Sequence, residues 1–481
     1  MDLEYLVIGA GMAGLSFTAL LEKKLLGTNS KIALLEAHSI VGGCASYFER
    51  DGFLFDAGAT TLSGLSPNQP LDRLIKELDL KLNLIKIDPG ITFVFPQKKV
   101  QRFSDNQKWI EELNIKFPNI SHNKIWEIIA QINLLGWNLS SDVKSLPLRS
   151  FKDSLSLMHF KNIKHIKKIP LLFRSVESHL RLQDILDSEY QALFNELLFI
   201  TSQNDIHETP MLVGAMGLSY PSDTYYAIGG MKAFCDALKE KCSRILLRHK
   251  VLEIKKITGG FLVKTNKGDF TTKKIISTLP SWNNELLMNK SSVEKKKNEI
   301  AACWSAFTLY FTIPKNNNRE GLYFQVHCPP IPICKTKSFF VSLSHPNDPR
   351  SSNERQTVTI SCHTKPDLFL NLKADEYKHK KQEIENFILD YFCKNFELDI
   401  NQLANIHSGS PKTFIRYTNR LNGLVGGIPH SILRNPFSYV IEHSLGKDFY
   451  QIGDTQFPGQ GIAAVVLGAQ NLIEHLVSEY P

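Results

Sequence analysis

Apolar and polar positions along the chain alternate between strand-like runs and helix-like spacing. The run Tyr5-Leu6-Val7-Ile8 reads as a strand. A glycine loop follows, Gly9-Ala10-Gly11-Met12-Ala13-Gly14, and then an apolar helix from Leu15 to Leu26. Ile32-Ala33-Leu34-Leu35 is a second strand ending at the acid Glu36, and Phe53-Leu54-Phe55 is a short strand ending in Asp56-Ala57-Gly58. From Leu71 to Thr209 the spacing predicts a predominantly helical region, clearest in Leu71-Asp72-Arg73-Leu74-Ile75-Lys76-Glu77-Leu78 and Ile125-Trp126-Glu127-Ile128-Ile129. Strand signals return in Arg244–Ile257, Phe261–Thr265 and Lys274–Thr278, with glycine turns between them. A mixed strand region spans Ser305–Thr364, a helical run covers Asp375–Phe396, and Phe449-Tyr450-Gln451-Ile452 leads into a helix over Gly461–Tyr480.

This order predicts an α/β protein with a Rossmann-like unit. At 481 residues the chain exceeds one ordinary core. We expect a discontinuous nucleotide-binding domain in three segments, residues 1–70, 223–290 and 436–481. A helical substrate or membrane-facing region, 71–222, and a substrate domain of sheet plus helices, 291–435, lie between them. No internal repeat and no long low-complexity segment is present.

The first loop carries chemistry. Gly9 allows a tight turn out of the strand, Gly11 lets backbone approach a pyrophosphate, and Gly14 lets the helix lie close to the sheet. The helix start, with Met12 and Ala13, presents unpaired N–H groups and a partial positive charge to phosphates. Glu36 stands where a carboxylate accepts hydrogen bonds from ribose hydroxyls and repels a 2′-phosphate. A second glycine turn, Val41-Gly42-Gly43-Cys44-Ala45-Ser46, follows soon after. The C-terminal stretch Gly453-Asp454-Thr455-Gln456-Phe457-Pro458-Gly459-Gln460-Gly461-Ile462 chooses between cofactors. A nicotinamide dehydrogenase needs no second nucleotide-facing unit there, whereas a flavoprotein often has one. The acid can hold the ribityl or phosphate end, and the helix N-terminus stabilises negative charge at the pyrimidine edge. We therefore expect one tightly held FAD.

Composition narrows the rest. The net charge of +8 is a mild basic bias that suits an anionic cofactor or an anionic membrane surface and is too diffuse to argue for nucleic acid. None of the eight cysteines forms CxxC, and no histidine spacing beside them suggests a metal site. We read them as reduced, mostly buried thiols. The N-terminus leads straight into the first strand with no signal peptide expected, and no apolar run reaches the ~18 residues needed to span a bilayer. A cytoplasmic, peripherally membrane-associated protein is expected.

These motifs resemble the carotenoid desaturase and isomerase branch of the FAD-dependent amine-oxidase superfamily. The likeness lies in the N-terminal unit, Tyr47-Phe48-Glu49-Arg50-Asp51-Gly52-Phe53 with Phe55-Asp56-Ala57-Gly58, and Gly453-Asp454 with Phe457-Pro458-Gly459-Gln460-Gly461. Gly229-Gly230-Met231, Ser410–Thr418 and Gly423-Leu424-Val425-Gly426-Gly427 add to it, the last two looking most like C-3′,4′ carotenoid desaturases. The branch includes phytoene desaturases, carotenoid isomerases and retinol saturases. The resemblance implies a GR2-type FAD-binding fold with an interleaved α+β substrate domain. It places Gly9, Gly11, Gly14, Glu36 and Gly43 around FAD, Val251 against the adenine, and Asp454 and Ile462 at the ribityl and flavin end. Gly42, Cys44, Gly453 and Gly461 belong to the same turns. Amine oxidases usually read Gly-Gly-Arg at the second turn, and this chain reads Gly-Gly-Cys, which removes a cation near the pyrophosphate. Cys44 is read as structural rather than redox-active.

The resemblance also implies a long apolar isoprenoid held against the flavin, with hydride transfer at N5 in desaturation, reduced flavin in isomerisation, or the reverse hydride in saturation. The catalytic residues stay unassigned. The polar island Thr201–Thr209, with Asp205 and His207, is most simply loop solvation. Arg416 and Arg420 stand open between facing the flavin or a quinone and lying on the surface. Quinone or oxygen would accept the electrons. Basic heads interleaved with apolar residues over Phe151–Arg174 suit a helix lying on anionic lipid, or an ordinary amphipathic helix. The alternatives to a desaturase or isomerase are a retinol saturase-like reductase, an amine-oxidase-like enzyme and a non-catalytic isoprenoid carrier.

Overall fold

The computed structural model describes residues 2–142, 144, 146–149, 170, 173–185, 187–289, 296–352, 354–435, 438, 441 and 444–478. The segment expected to meet lipid, 151–174, lies almost wholly outside them.

Two seven-stranded sheets organise the chain. The first runs in the order Val251–Ile257, Gly260–Thr265, Gly268–Ser277, Asp2–Ile8, Ile32–Glu36, Ile245–Leu247, and Phe449–Gln451 pairs with the end of Gly268–Ser277. Its inner strands are parallel, and their apolar runs are continuous because both faces are covered. The first ten residues of the helix Met12–Lys24 are all buried, so a helix without an amphipathic stripe is what the site requires. That helix begins three residues before the expected Leu15, which puts Gly14 inside its first turn. Ser277 pairs with Ile8 on one side and Gln451 on the other, so three distant segments of chain meet at one sheet end.

The second sheet runs Ala404–Gly409, Ser305–Pro314, Arg355–Thr364, Ser338–Leu343, Tyr323–His327, Ile91–Val94, Lys99–Arg102. Its two faces follow the two-residue period of strands. Phe307, Leu309, Phe311 and Ile360 belong to the largest core cluster, where Phe311 meets Phe392 of the helix Ala374–Phe396 edge to face at 5.1 Å. The alternate residues point the other way, toward a cavity between the sheets.

Helices Asn106–Lys116, Asn123–Asp142 and Ser188–Ser202 fill much of the Leu71–Thr209 region, and the hairpin Ile91–Val94 and Lys99–Arg102 and the strand Leu84–Lys86 interrupt it. Ile91-Thr92-Phe93-Val94 is β-branched and aromatic, and too short for a helix to satisfy its own backbone. It instead pairs in parallel with Tyr323–His327.

A buried ionic cluster fastens the second sheet to the nucleotide unit. Arg350, 4% exposed at its side chain, contacts Asp56 at 2.7 Å and Asp348 at 3.2 Å. Tyr226 donates to Asp348 at 2.6 Å and accepts from Arg350 at 2.5 Å. The Asp56 and Asp348 carboxylates also take backbone N–H bonds from Met231 and Gly229. Among the described residues, no helix is long and apolar enough to cross a membrane.

Candidate functional site

The glycine loop, the second turn and the acid form one edge of the cavity. Gly11 caps the helix without any side-chain hydrogen bond, leaving the first N–H groups of Met12–Lys24 to whatever lies in front. Gly42 donates to the Ala10 carbonyl at 2.8 Å and bridges Gly11, so the two glycine turns lie side by side. Glu36 is held on both oxygens, by the Ala10 N–H at 2.7 Å and the His38 N–H at 2.8 Å. Its carbonyl takes the His249 N–H at 2.8 Å, which brings the start of the Val251 strand to the acid.

The glycines do different work. A Cβ built on Gly14 would stand 1.9 Å from the Gly9 carbonyl oxygen, so helix–sheet packing excludes any side chain there. A Cβ on Gly11 would meet protein only at 3.9 Å, across from Gly43. Protein packing does not demand glycine at position 11. A ligand lying over the loop would.

The C-terminal unit closes the other edge. Ile452 donates to the Ser277 carbonyl at 3.0 Å, and the helix Ile462–Ser478 starts at Gly461, packed against Met12–Lys24. Asp454 pairs with Arg420 at 2.9 Å, and both side chains are nearly buried. Burial works against the Arg420 charge, but the Asp454 carboxylate outweighs it and holds the guanidinium above its ordinary range. Burial raises the Cys44 thiol, more than Arg420 lowers it, so Cys44 is a protonated thiol and a poor nucleophile. The cation missing from the second glycine turn is thus supplied from a different segment, by Arg420. The sequence offered only an arginine lying between the two resembling segments Ser410–Thr418 and Gly423–Gly427. Arg416 also lines the cavity, stacked at 5.5 Å on Tyr417.

One cavity of about 1200 Å³ joins these parts. Gly9, Gly11, Met12, Ala13, Glu36, Gly42, Gly43, Cys44, Val251, Gly453, Asp454, Gly461 and Ile462 line it, and Gly14 alone of the predicted site residues does not. Its far part is floored by one face of the second sheet, with Tyr310, Tyr323, Phe340 and His363 among its residues, and by Leu197 and Phe199 from the helix Ser188–Ser202. Tyr310 donates to the Ala57 carbonyl at 2.6 Å and Tyr323 to that of Thr60 at 3.0 Å, so the sheet abuts the loop following Asp56. Sequence reasoning did not reach this floor, because alternation inside the Ser305–Thr364 strands marks two faces without saying which lines a cavity. His363 lies 4.4 Å, ring to ring, from Phe199, and burial, with Lys365 nearby, lowers its pKa to about 4, so it is neutral near pH 7. Asp205 and His207 line no part of the cavity: Asp205 accepts from the backbone of His207 and Glu208, and His207 pairs with Glu177 at 2.9 Å in solvent. Among the described residues there is no cluster fit to hold a metal ion.

Residues 7–78 match the NAD(P)-binding Rossmann-like domain family. Prolycopene isomerase 2, chloroplastic, of an Oncidium hybrid cultivar is 24% identical over 96% of this chain and 82% of its own length. The 15-cis-phytoene desaturase, chloroplastic/chromoplastic, of Narcissus pseudonarcissus is 31% identical over 28% of this chain and 22% of its own length. The fold is that of a putrescine oxidase double mutant, with a TM-score of 0.64 at 14% identity over 99% of both chains. The chain is thus similar over most of its length to prolycopene isomerases, over a shorter stretch to a phytoene desaturase, and in fold to an amine oxidase. Its first unit is a dinucleotide-binding fold, and its glycine loop, its acid and the start of its C-terminal helix all face one cavity.

Proposed function

We propose that the protein is an FAD-dependent oxidoreductase acting on a long apolar polyene of the carotenoid class, by desaturation or cis–trans isomerisation. The observation that carries this reading is the continuity of the cavity. It runs from a dinucleotide loop, past a C-terminal helix start, onto a sheet floor rich in aromatic side chains. The residues fit FAD: the helix N-terminus and Gly11 leave room and donors for phosphates, and the Glu36 carboxylate is fixed for a ribose. Gly9, Gly11, Met12, Ala13, Gly42, Gly43 and Cys44 would hold the pyrophosphate region, Val251 the adenine, and Gly453, Asp454, Gly461 and Ile462 the ring end. Arg420 would stand near the phosphates, its charge balanced by Asp454.

FAD, when bound, supplies the two-electron acceptor and donor. The chain's own task is to orient the polyene between Phe199, Tyr310, Tyr323 and Phe340 and to exclude water, so that position and dryness do the rest. Quinone or oxygen would accept the electrons if the reaction is a net oxidation. Residues 151–174 would bring the protein to anionic lipid, from which such a substrate is drawn.

The test is reconstitution with FAD, absorbance near about 450 nm, and product analysis after incubation with a panel of acyclic carotenoids, with and without a quinone. New or lost double bonds, or changed cis–trans geometry, support the proposal. A protein that holds no flavin, or that holds it and converts no polyene, refutes it.

A further inference from the structure

The cavity floor ends in a polar group that an all-hydrocarbon substrate would leave unused. Gln325 lies two residues beyond Tyr323 on the same strand face, one pleat repeat or about 7 Å farther from the Ala57–Thr61 loop. It is 3% exposed. Its amide nitrogen donates to Glu196 at 2.8 Å and to the Ser338 hydroxyl oxygen at 2.9 Å. Glu196 is itself buried, and its second oxygen meets His327 at 3.0 Å. The carboxylate thereby sets the sense of the Gln325 amide, because only the nitrogen end can donate to it.

Both amide hydrogens are then used, and the Gln325 carbonyl oxygen is buried without a hydrogen-bond partner among the described residues. Ser338 accepts from Gln325, which leaves its own O–H to donate. Both residues line the cavity. A free acceptor beside a free donor, among Leu197, Phe340 and Tyr323, is the complement of one alcohol: its O–H donates to Gln325 and its oxygen accepts from Ser338. An aldehyde or ketone could use only the serine. A carboxylate would place a second negative charge beside Glu196.

Resting on the polyene reading above, we infer that this end of the cavity binds a hydroxyl group, and that the substrate class is a polyene alcohol rather than a polyene hydrocarbon. A site built to pair a hydroxyl rejects the analogue that lacks it more strongly than an apolar pocket rejects an added hydroxyl, since its buried polar groups are then left unpaired.

The experiment uses the FAD-loaded full chain and matched probes: zeaxanthin against β-carotene, and retinol against its deoxy hydrocarbon. Affinity is read from polyene absorbance shifts. At least one alcohol should bind about tenfold or more tightly than its partner. Gln325→Leu should abolish that preference while leaving the hydrocarbon's affinity unchanged or improved. Ser338→Ala, a smaller change should the first variant fold poorly, should weaken the preference in part. Flavin content and melting temperature serve as folding controls. Equal affinity within both pairs, or a preference that survives Gln325→Leu, overturns this inference and leaves the polyene reading standing. If neither member of either pair binds, this inference falls, and the polyene reading is decided by the acyclic-carotenoid panel of its own test.

Discussion

Gly11→Ala and Gly14→Ala add the same methyl group three residues apart, and the structure assigns them opposite consequences. At Gly14 the new Cβ would stand 1.9 Å from the Gly9 carbonyl oxygen, at a fully buried helix–strand contact. Relief needs a backbone shift of more than about 1 Å, which places the cost at or above the top of the ~1–3 kcal/mol range for overpacking. The expected loss in melting temperature is roughly 5–10 °C, with or without cofactor. At Gly11 the backbone is in the extended region, φ −73° and ψ −179°, open to any residue, and the nearest protein atoms lie at 3.9 and 4.0 Å. The stability of the flavin-free protein should change by no more than about 1 kcal/mol. FAD affinity should fall about tenfold or more, ~1.4 kcal/mol, because the methyl occupies the space of the phosphates. Thermal melts of the stripped proteins and FAD titrations measure both quantities. A stripped Gly11→Ala protein that melts as low as Gly14→Ala would refute the argument. So would one that binds FAD like the parent.

Asp454→Ala leaves the Arg420 cation unpaired and mostly buried, so it should cost about 3 kcal/mol in denaturant unfolding, and Asp454→Ala with Arg420→Ala together should cost less than the sum of the two. Arg350→Leu strands the Asp56 and Asp348 carboxylates and should cost about 3–5 kcal/mol, with the loss visible in the melt before any change in flavin spectrum. Burial holds the folded pKa of both His363 and His430 near 4, below the ~6.5 of an unfolded chain. The unfolded state therefore binds more protons between those values. Stability rises with pH across that window and is lost as pH falls through it, and His363→Gln should remove up to about 3 kcal/mol of the loss at pH 4, measured by urea unfolding against pH. An unchanged acid limb would speak against a neutral buried ring. For residues 151–174, co-sedimentation with anionic liposomes at low salt should be lost when their lysines are changed to glutamine, and a protein that ignores such vesicles sinks the membrane contact.

The nucleotide edge of the cavity was legible because each part is local: a strand, a loop and a helix start within fifteen residues, an acid at the next strand end, a strand-to-helix turn at Gly453. Local chemistry also explains why Asp205 and His207 read correctly as loop residues. Arg420 was not decidable, since its role depends on Asp454, which only the fold brings to it. Gln325, Glu196 and Ser338 come from three separate elements, and nothing in their flanking residues marks them as one network. The Ile91–Val94 strand was hidden because its partner, Tyr323–His327, lies far along the chain.

The strand Gly268–Ser277 waits for both ends of the polypeptide: Asp2–Ile8 on one flank and Phe449–Gln451 on the other. A nascent chain still held at its C-terminal stretch therefore owns the phosphate loop without the helix start that faces it. If the cavity holds FAD as proposed, its capture would follow translation of that stretch, and a prematurely stopped product would leave the ribosome with an unfinished sheet edge beside Gly268–Ser277.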